Sequence, residues 1–373
     1  MKKIIFLTGT RADFGKLKSL IEITLKSNLF EVFIFATGMH MSKKYGNTVE
    51  EIEKCGYKNI YKYINHTSES SMDQTLAKTI EGLSNFSRET NPDLIIIHGD
   101  RVEALAGAIV GSLNNILVAH IEGGEVSGTI DELIRHAVSK LSHVHFVSNK
   151  GAKKRLIQMG EMAENIFVIG SPDVDVMLSD TLPSIQKVRE RYEIPFEDFG
   201  LILFHPVTTE IGQMSTYAKQ FVDAIIETES NYIVIYPNND LGSNLILAEY
   251  ERFNNRANFK IYPSVRFEYF LVMLRHSKFL VGNSSAGIRE APYYGLPAVN
   301  IGTRQQNRSL HDDIINCGYT TSEITEAIKL AQKATFPRAS LFGNGKSDEL
   351  FSEVIRKDNF WEINKQKVFK DFK

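Results

Sequence analysis

Gly282-Asn283-Ser284-Ser285-Ala286-Gly287-Ile288-Arg289-Glu290, continued by Ala291-Pro292-Tyr293-Tyr294-Gly295-Leu296-Pro297-Ala298-Val299-Asn300-Ile301-Gly302-Thr303-Arg304-Gln305, decides how this chain folds. Lys278-Phe279-Leu280-Val281 ahead of it reads as a short buried strand. A small turn follows from Gly282 to Gly287, and a helix is expected from Ile288. A strand that ends in Gly and Ser and opens a helix points backbone N–H groups outward, with the helix dipole behind them. Such a turn binds an anion, most often a phosphate. Ser284 and Ser285 add hydroxyl donors, and Gly287 closes the turn. Glu290, early on the helix, can accept hydrogen bonds from the hydroxyls of a ribose next to that phosphate. The plain alternative is that Ser284 caps the helix and Glu290 complements its dipole. One strand–turn–helix alone weighs the two evenly, so the rest of the chain must choose.

Outward from this stretch, apolar runs alternate with helical spacing. Residues 3–7, 31–36, 93–98, 117–121 and 143–148 read as strands; residues 16–27, 50–55, 72–90, 102–113 and 130–141 read as helices. The pattern breaks near Ile169 and restarts at 200–204, with strands at 232–236, 259–262, 278–281 and 298–301. Helices at 213–227 and 267–276 separate them. Alternation of this kind means a parallel sheet covered on both faces, here twice. Two α/β, Rossmann-like domains are therefore expected, residues 1–172 and 173–354, with the last helices, 355–373, crossing back onto the first.

The polar residues fall in a telling register. Arg11, His40, Asp100, Arg101 and Glu122 each come just after a strand of the first half. His205, Asn238, Ser284, Ser285 and Arg304 do so in the second. The carboxyl ends of parallel strands line the ligand crevice of an open sheet. Each residue alone reads as a cap or a surface charge; the convergence of all of them reads as a site, with two crevices facing across a cleft that closes on its ligand.

Composition narrows the function. The 373 residues exceed what one core usually holds, and 43% hydrophobic with 24% charged residues is ordinary for a globular protein. A net charge of −2 gives no reason to expect nucleic acid or an anionic membrane as partner. Two distant cysteines, Cys55 and Cys317, offer neither a disulfide framework nor a thiolate metal site. The opening Met-Lys-Lys-Ile-Ile-Phe-Leu reads as a first strand rather than a signal peptide, and no apolar run is long enough to cross a bilayer. A cytoplasmic protein is expected.

Several donors around one turn suggest a diphosphate, as in a nucleotide, held by the second domain with help from Arg11 and Arg101. Asp100, Glu122 and Asp131 do not suit phosphate; they suit acid–base work on whatever is attached to it. His205 adds a group that titrates near neutrality in its free form. His143 and His145 alternate along one strand and read as structural rather than as metal ligands, so neither metal nor cofactor is expected. Gly9-Thr10-Arg11 lacks the dinucleotide fingerprint, and no Walker lysine motif is present.

At this point the motifs resemble a family. Thr8-Gly9-Thr10-Arg11-Ala12-Asp13, His98-Gly99-Asp100-Arg101, His120-Ile121-Glu122-Gly123-Gly124, Gly128-Thr129-Ile130-Asp131-Glu132-Leu133-Ile134-Arg135-His136, the opening stretch and Gly302-Thr303-Arg304-Gln305 resemble, in order, the UDP-N-acetylglucosamine 2-epimerases. The Gly-Asp-Arg and Glu-Gly-Gly-Glu-Val-Ser-Gly-Thr-Ile-Asp forms are most similar to the hydrolysing branch, found in bacterial sialic-acid pathways and in the bifunctional animal enzyme. The resemblance implies a GT-B glycosyltransferase-type fold and a two-step reaction. A base removes the C2 proton of the sugar as UDP leaves C1, and water then adds to the 2-acetamidoglycal, giving N-acetylmannosamine and UDP. It implies Asp100, Glu122, Asp131 and His205 as the catalytic set. UDP would be bound by Arg11, Arg101, Asn238, Ser284, Ser285, Gly287, Glu290 and Arg304, and His40 would contact substrate. A homodimer or tetramer is implied as well. Three other readings stand beside it: the same reaction on UDP-2,4-diacetamido-2,4,6-trideoxyglucose, a non-hydrolysing epimerase, and a GT-B glycosyltransferase. A fourth, a sugar-nucleotide-binding regulator without catalysis, would tolerate loss of Asp100 or Glu122.

Overall fold

The computed structural model describes residues 1–65, 71–126, 130–305 and 314–371. Its chain divides into two compact units. Unit 1 comprises Met1–Glu125, Asp131–Ser179 and Leu341–Lys373; unit 2 comprises Asp180–Ser340 and the short piece Val126–Ile130.

Unit 1 holds seven strands: β1 (Lys2–Thr8), β2 (Phe30–Ala36), β3 (Ile60–Lys62), β4 (Leu94–His98), β5 (Leu117–Ile121), β6 (Val144–Val147) and β7 (Ile166–Val168). They form one sheet in the order β3-β2-β1-β4-β5-β6-β7, and every pairing is parallel. Strands covered on both faces need apolar residues without alternation. All five residues of β5 and all four of β6 are buried accordingly. The helix Val102–Leu113 packs so closely on this sheet that a Cβ at Gly111 would lie 2.3 Å from Val118 Cγ2. Its Ala- and Gly-rich composition follows from that approach.

Unit 2 holds β8 (Gly200–Leu203), β9 (Tyr232–Ile235), β10 (Phe259–Tyr262), β11 (Phe279–Gly282), β12 (Ala298–Ile301) and β13 (Ile314–Cys317). The order is β10-β9-β8-β11-β12-β13, again all parallel. The two sheets thus share one winding, and the strand order reverses between β1 and β4 in one and between β8 and β11 in the other. Ligands of open α/β sheets bind at such switch points. The two parallel-sheet α/β domains expected from the alternation are present.

The expected boundaries at 172 and 355 differ from the observed divisions at 179 and 341. The helix Pro172–Met177 and the helix Ser347–Ile355 both pack in unit 1. Asp175 joins them: its carboxylate accepts from the N–H groups of Ser347 (2.9 Å) and Asp348 (3.0 Å) and so caps the second helix. Phe351, Ile355 and Phe360 enter the core beside Phe14, Leu17 and Phe146. Within the 355–373 stretch expected to be helical, the described residues hold one short helix, Asp358–Trp361, followed by irregular chain. That tail is tied down by hydrogen bonds. His143 Nδ1 accepts from Val118 N (3.0 Å), so its Nε2–H donates to Lys365 O (2.9 Å). Lys367 Nζ donates to Ser142 O (2.6 Å) and pairs with Glu161 Oε2 (2.5 Å), which His145 Nε2 also meets at 3.1 Å. His143 and His145 hold the C-terminal tail, a structural use. Among the described residues, no cluster of His, Cys, Asp and Glu could hold a metal ion, and no helix is long and apolar enough to cross a membrane.

Candidate active site

In unit 1 the loop after β1 is organised by Asp13. Thr10 caps the helix Arg11–Lys26, accepting from Asp13 N (3.2 Å), while Asp13 accepts from Thr10 N (2.9 Å) and Gly9 N (3.0 Å). This reciprocal capping box starts the helix five residues earlier than periodicity indicates. Arg11 becomes its first residue, with Nη2 3.8 Å from Glu51 Oε1. Arg101, before the helix Val102–Leu113, has Nε 3.8 Å from Glu103 Oε2. Both guanidinium groups are mostly enclosed and both are backed by a carboxylate.

His40 does not face outward. Its ring is fully buried, with Nε2 3.0 Å from Thr8 Oγ1 and Nδ1 2.7 Å from Thr48 Oγ1. Burial pulls it down to about 4, against the opposing pull of Asp13. It is a neutral brace for the β1 loop, held between Thr8 and Thr48. His120 plays a like part behind the next two loops. Its Nε2 donates to Gly99 O at 2.8 Å, and burial lowers it to about 3.

Asp100 and Glu122 follow β4 and β5, and the loops carrying them are joined by Gly99 N to Ile121 O at 3.0 Å. Asp100 is ion-paired with Arg135, 35 residues away on the helix Ile130–Leu141. Arg135 is 2% exposed, and its Nη1 donates to Glu125 O (3.2 Å). Asp131 lies one turn earlier on that helix and is half-buried; residues four apart share a helix face. Ser127, Gly128 and Thr129 of the same motif lie outside the described residues.

Glu122 sits deepest. Its side chain is 5% exposed, and its backbone has φ 64, a conformation that costs a non-glycine residue about 1–3 kcal/mol. Oε2 is 3.0 Å from His98 Nε2 and 3.9 Å from Lys16 Nζ; Oε1 accepts from Ser171 Oγ. Lys16 also pairs with Asp173 at 3.0 Å. Thus a carboxylate is surrounded by a hydroxyl, an imidazole and an ammonium in a dry setting. The sequence alone does not mark His98, Lys16, Ser171 or Arg135 as members of this cluster. His98 ends β4 one residue before the turn, where its strand position masks it, and the other three are scattered over distant segments.

In unit 2 the opening stretch departs from the single helix expected at Ile288. Ser285–Gly287 is one 3₁₀ turn and Glu290–Tyr293 one α turn; Pro292, which lacks an N–H, stands in the way of continuous winding. A long-helix dipole is therefore not behind this turn. The N–H groups of Ala286, Gly287, Ile288 and Arg289 are used inside it. What it offers an anion comes from Ser284 and Ser285 rather than from a row of open helical amides. Gly287 and Glu290 are buried. Gly282 is sterically required: with φ 143, a Cβ there would lie 1.9 Å from Leu203 O.

Around this turn three strand ends are bound together. His205, after β8, donates its N–H to Asn283 Oδ1 (2.7 Å), and Asn283 Nδ2 donates to His205 O (2.9 Å). Asn238, after β9, donates its N–H to His205 Nδ1 (3.0 Å). Arg304 Nη1 (3.2 Å) and Gln305 Nε2 (2.9 Å), after β12, both donate to Asn283 O. The structure so brings His205, Asn238, Ser284, Ser285 and Arg304 to one edge of the unit 2 sheet. It brings Arg11, Asp100, Arg101 and Glu122 to the same edge of the unit 1 sheet.

Comparison with known proteins agrees with this layout. A family model described as UDP-N-acetylglucosamine 2-epimerase matches residues 23–356. A Neisseria meningitidis serogroup B protein named UDP-N-acetylglucosamine 2-epimerase is 49% identical over 375 residues, spanning 100% of this chain and 99% of the relative. A Legionella pneumophila protein named UDP-N,N'-diacetylbacillosamine 2-epimerase (hydrolyzing) is 34% identical over 363 residues, spanning 95% of this chain and 96% of the relative. Among solved structures, the UDP-GlcNAc 2-epimerase of Methanocaldococcus jannaschii, in complex with UDP-GlcNAc and UDP, has the same fold. Its TM-score is 0.80 at 23% identity, over 95% of this chain and 99% of that one. Motifs spread over the whole length, two sheets of one winding and these matches lead to one conclusion: the chain belongs to the UDP-N-acetylglucosamine 2-epimerase family.

Proposed function

We propose that the protein is a hydrolysing 2-epimerase that converts UDP-N-acetylglucosamine and water to N-acetylmannosamine and UDP. The observation that carries this reading is Glu122: a buried carboxylate held in a strained backbone, hydrogen-bonded by His98 and Ser171, and joined through its loop to Asp100. In the first step a carboxylate takes the C2 proton, the C2–H electron pair becomes the C1=C2 bond, and the C1–O bond breaks as UDP leaves. In the second step water gives its oxygen to C1 and a proton adds to C2 with inverted configuration. The C2 proton is only weakly acidic, so its removal needs a base in a water-poor setting and a stabilised leaving group. Glu122, Asp100 and Asp131 are assigned the proton transfers. Ser284, Ser285, Arg304, Arg11 and Arg101 are assigned the diphosphate, Glu290 the ribose, and Asn238 and Gly287 the walls of the UDP site.

Asp100-Arg101 and the Glu122-Gly123-Gly124-Glu125 form favour the hydrolysing branch over the non-hydrolysing one. The Legionella relative, whose name carries the word hydrolyzing, supports a second reading, the same chemistry on a UDP-2,4-diacetamido sugar. Incubation with UDP-N-acetylglucosamine in heavy water, followed by NMR, tests both. Free N-acetylmannosamine deuterated at C2, with UDP, is the expected result. UDP-N-acetylmannosamine as the product would move the protein to the non-hydrolysing branch, and turnover of only the diacetamido sugar nucleotide would change the substrate. A homo-oligomer is expected by light scattering.

A further inference from the structure

We propose that Asn283 is a positioning residue that sets the imidazole of His205 in one tautomer, with its hydrogen on Nε2. The inference rests on the epimerase reading only for what His205 then does. A backbone N–H can only donate, so the Asn238 N–H, 3.0 Å from His205 Nδ1, requires a lone pair on that nitrogen. In the neutral ring the hydrogen is then on Nε2. That bond needs the His205 main chain at a fixed height relative to β9, and Asn283 supplies the fixing. Its side-chain amide meets both backbone groups of His205, accepting at 2.7 Å and donating at 2.9 Å, as a neighbouring strand would. β8 ends at Leu203, and two residues on the Asn283 amide bonds both main-chain groups of His205.

Asn283 is itself immobile. It is 1% exposed, its N–H donates to Leu203 O at 3.1 Å, and its carbonyl holds Arg304 and Gln305. Substitution by an aliphatic side chain of similar size would remove both of these bonds to the His205 main chain, so a packing role alone does not explain an amide here. The clamp makes neutral His205 a hydrogen-bond donor through Nε2 and never an acceptor there. In the proposed reaction it therefore stabilises charge on the departing diphosphate and does not take the C2 proton, which leaves that task to the carboxylates.

The test uses the full-length protein labelled with ¹⁵N-histidine. Its ten histidines are separated by comparison, and the His205 signals are those lost in His205→Gln. Wild type is expected to show an unprotonated Nδ1 and a protonated Nε2 at His205, and Asn283→Ala a mixture of tautomers. The variant is expected to lose about 100-fold in kcat, the scale of a misplaced catalytic group, with the Kd for UDP changed less than about 3-fold. On a His205→Gln background the same change should cost almost nothing further, as expected of residues acting as a unit. If Asn283→Ala does not fold, Asn283→Asp, which keeps the acceptor for His205 N–H, replaces it in the same measurements. A mixed tautomer in wild type, or losses that multiply in the double variant, would overturn the clamp. A fixed tautomer that Asn283→Ala releases, in a protein that turns over neither sugar nucleotide, would support the clamp and overturn the epimerase reading.

Discussion

Eight non-glycine residues in the described chain have positive φ, and Glu122 alone among them is buried. The others are five asparagines, the type that adopts this conformation most readily, and two glutamates, all at exposed or partly exposed positions. At Glu122 nothing in the solvent rewards it; the surrounding bonds to His98 and Ser171 hold it. Glu122→Gln, which keeps the shape and removes the charge, is expected to lower kcat by about 10²–10⁴-fold while UDP still binds, as read by turnover and calorimetry. Asp100 has a second duty, neutralising buried Arg135. Asp100→Asn is expected to cost about 2 kcal/mol in urea unfolding, below the ~3–5 kcal/mol of a fully enclosed broken pair, because the Asp100 side chain is 24% exposed. The chemical types at the strand ends are legible in sequence because each follows an apolar run. The partner of Asp100 is not, since Arg135 reads as one more polar residue within a periodic helix. The inward turn of His40 is equally hidden: only the placement of Thr8 and Thr48 around it decides that its ring is enclosed.

Among elements, the strands were the most readable, for a physical reason. A strand buried on both faces is a nearly continuous apolar run, and Leu-Ile-Ile-Ile in β4 or Leu-Val-Ala-His-Ile in β5, broken only by His120, has little alternative. The three-residue strands β3 and β7 escape notice because Ile-Tyr-Lys and Ile-Phe-Val at a sheet edge are too short to show a period. β13 and the helix Thr321–Ala331 lie beyond the last motif, and their patterns are ordinary. The small residues after β11 fit the start of a helix, but Pro292 divides it. At this scale Gly282 is the strongest constraint. Gly282→Ala would drive a methyl group into Leu203 O, between the two central strands β8 and β11. Thermal unfolding is expected to show a loss of about 3 kcal/mol or more, in the tail of single-site effects. A variant with unchanged melting would mean that β8 and β11 can separate at no cost.

For the whole molecule, acid is the informative stress. His40, lowered to about 4, and His120, lowered to about 3, are both pushed down by burial from 6.5. Below pH 6.5 the unfolded chain binds protons that the folded chain refuses, so stability present above pH 6.5 is lost as pH falls toward the folded values. The interval from 6.5 to about 4 at His40, at about 1.36 kcal/mol per pH unit, amounts to about 3 kcal/mol. Burial alone would raise the Glu161 carboxyl, but His145, Lys140 and Lys367 bring it down to about 2 from 4.5; its contribution is present above pH 4.5 and fades below. Urea unfolding at pH 7.5, 5.5 and 4.5 is expected to show a steady decline, and His40→Asn a shallower one; equal slopes would place the buried charge elsewhere. The two-sheet architecture was visible from alternation, whereas the exact return of the chain was not, because Phe351 and Phe360 carry no mark of which sheet they cover. That return has a consequence for biosynthesis. Unit 1 needs Leu341–Lys373, made only after the whole of Asp180–Ser340, to complete a core begun at β1. Asp180–Ser340 is translated before that segment, so it can fold while the first-made half still waits for its closing helices. The nascent chain therefore carries an open apolar face around Phe14, Leu17 and Phe146 until Phe351, Ile355 and Phe360 emerge, and a product stalled or truncated before them is a natural client for chaperones.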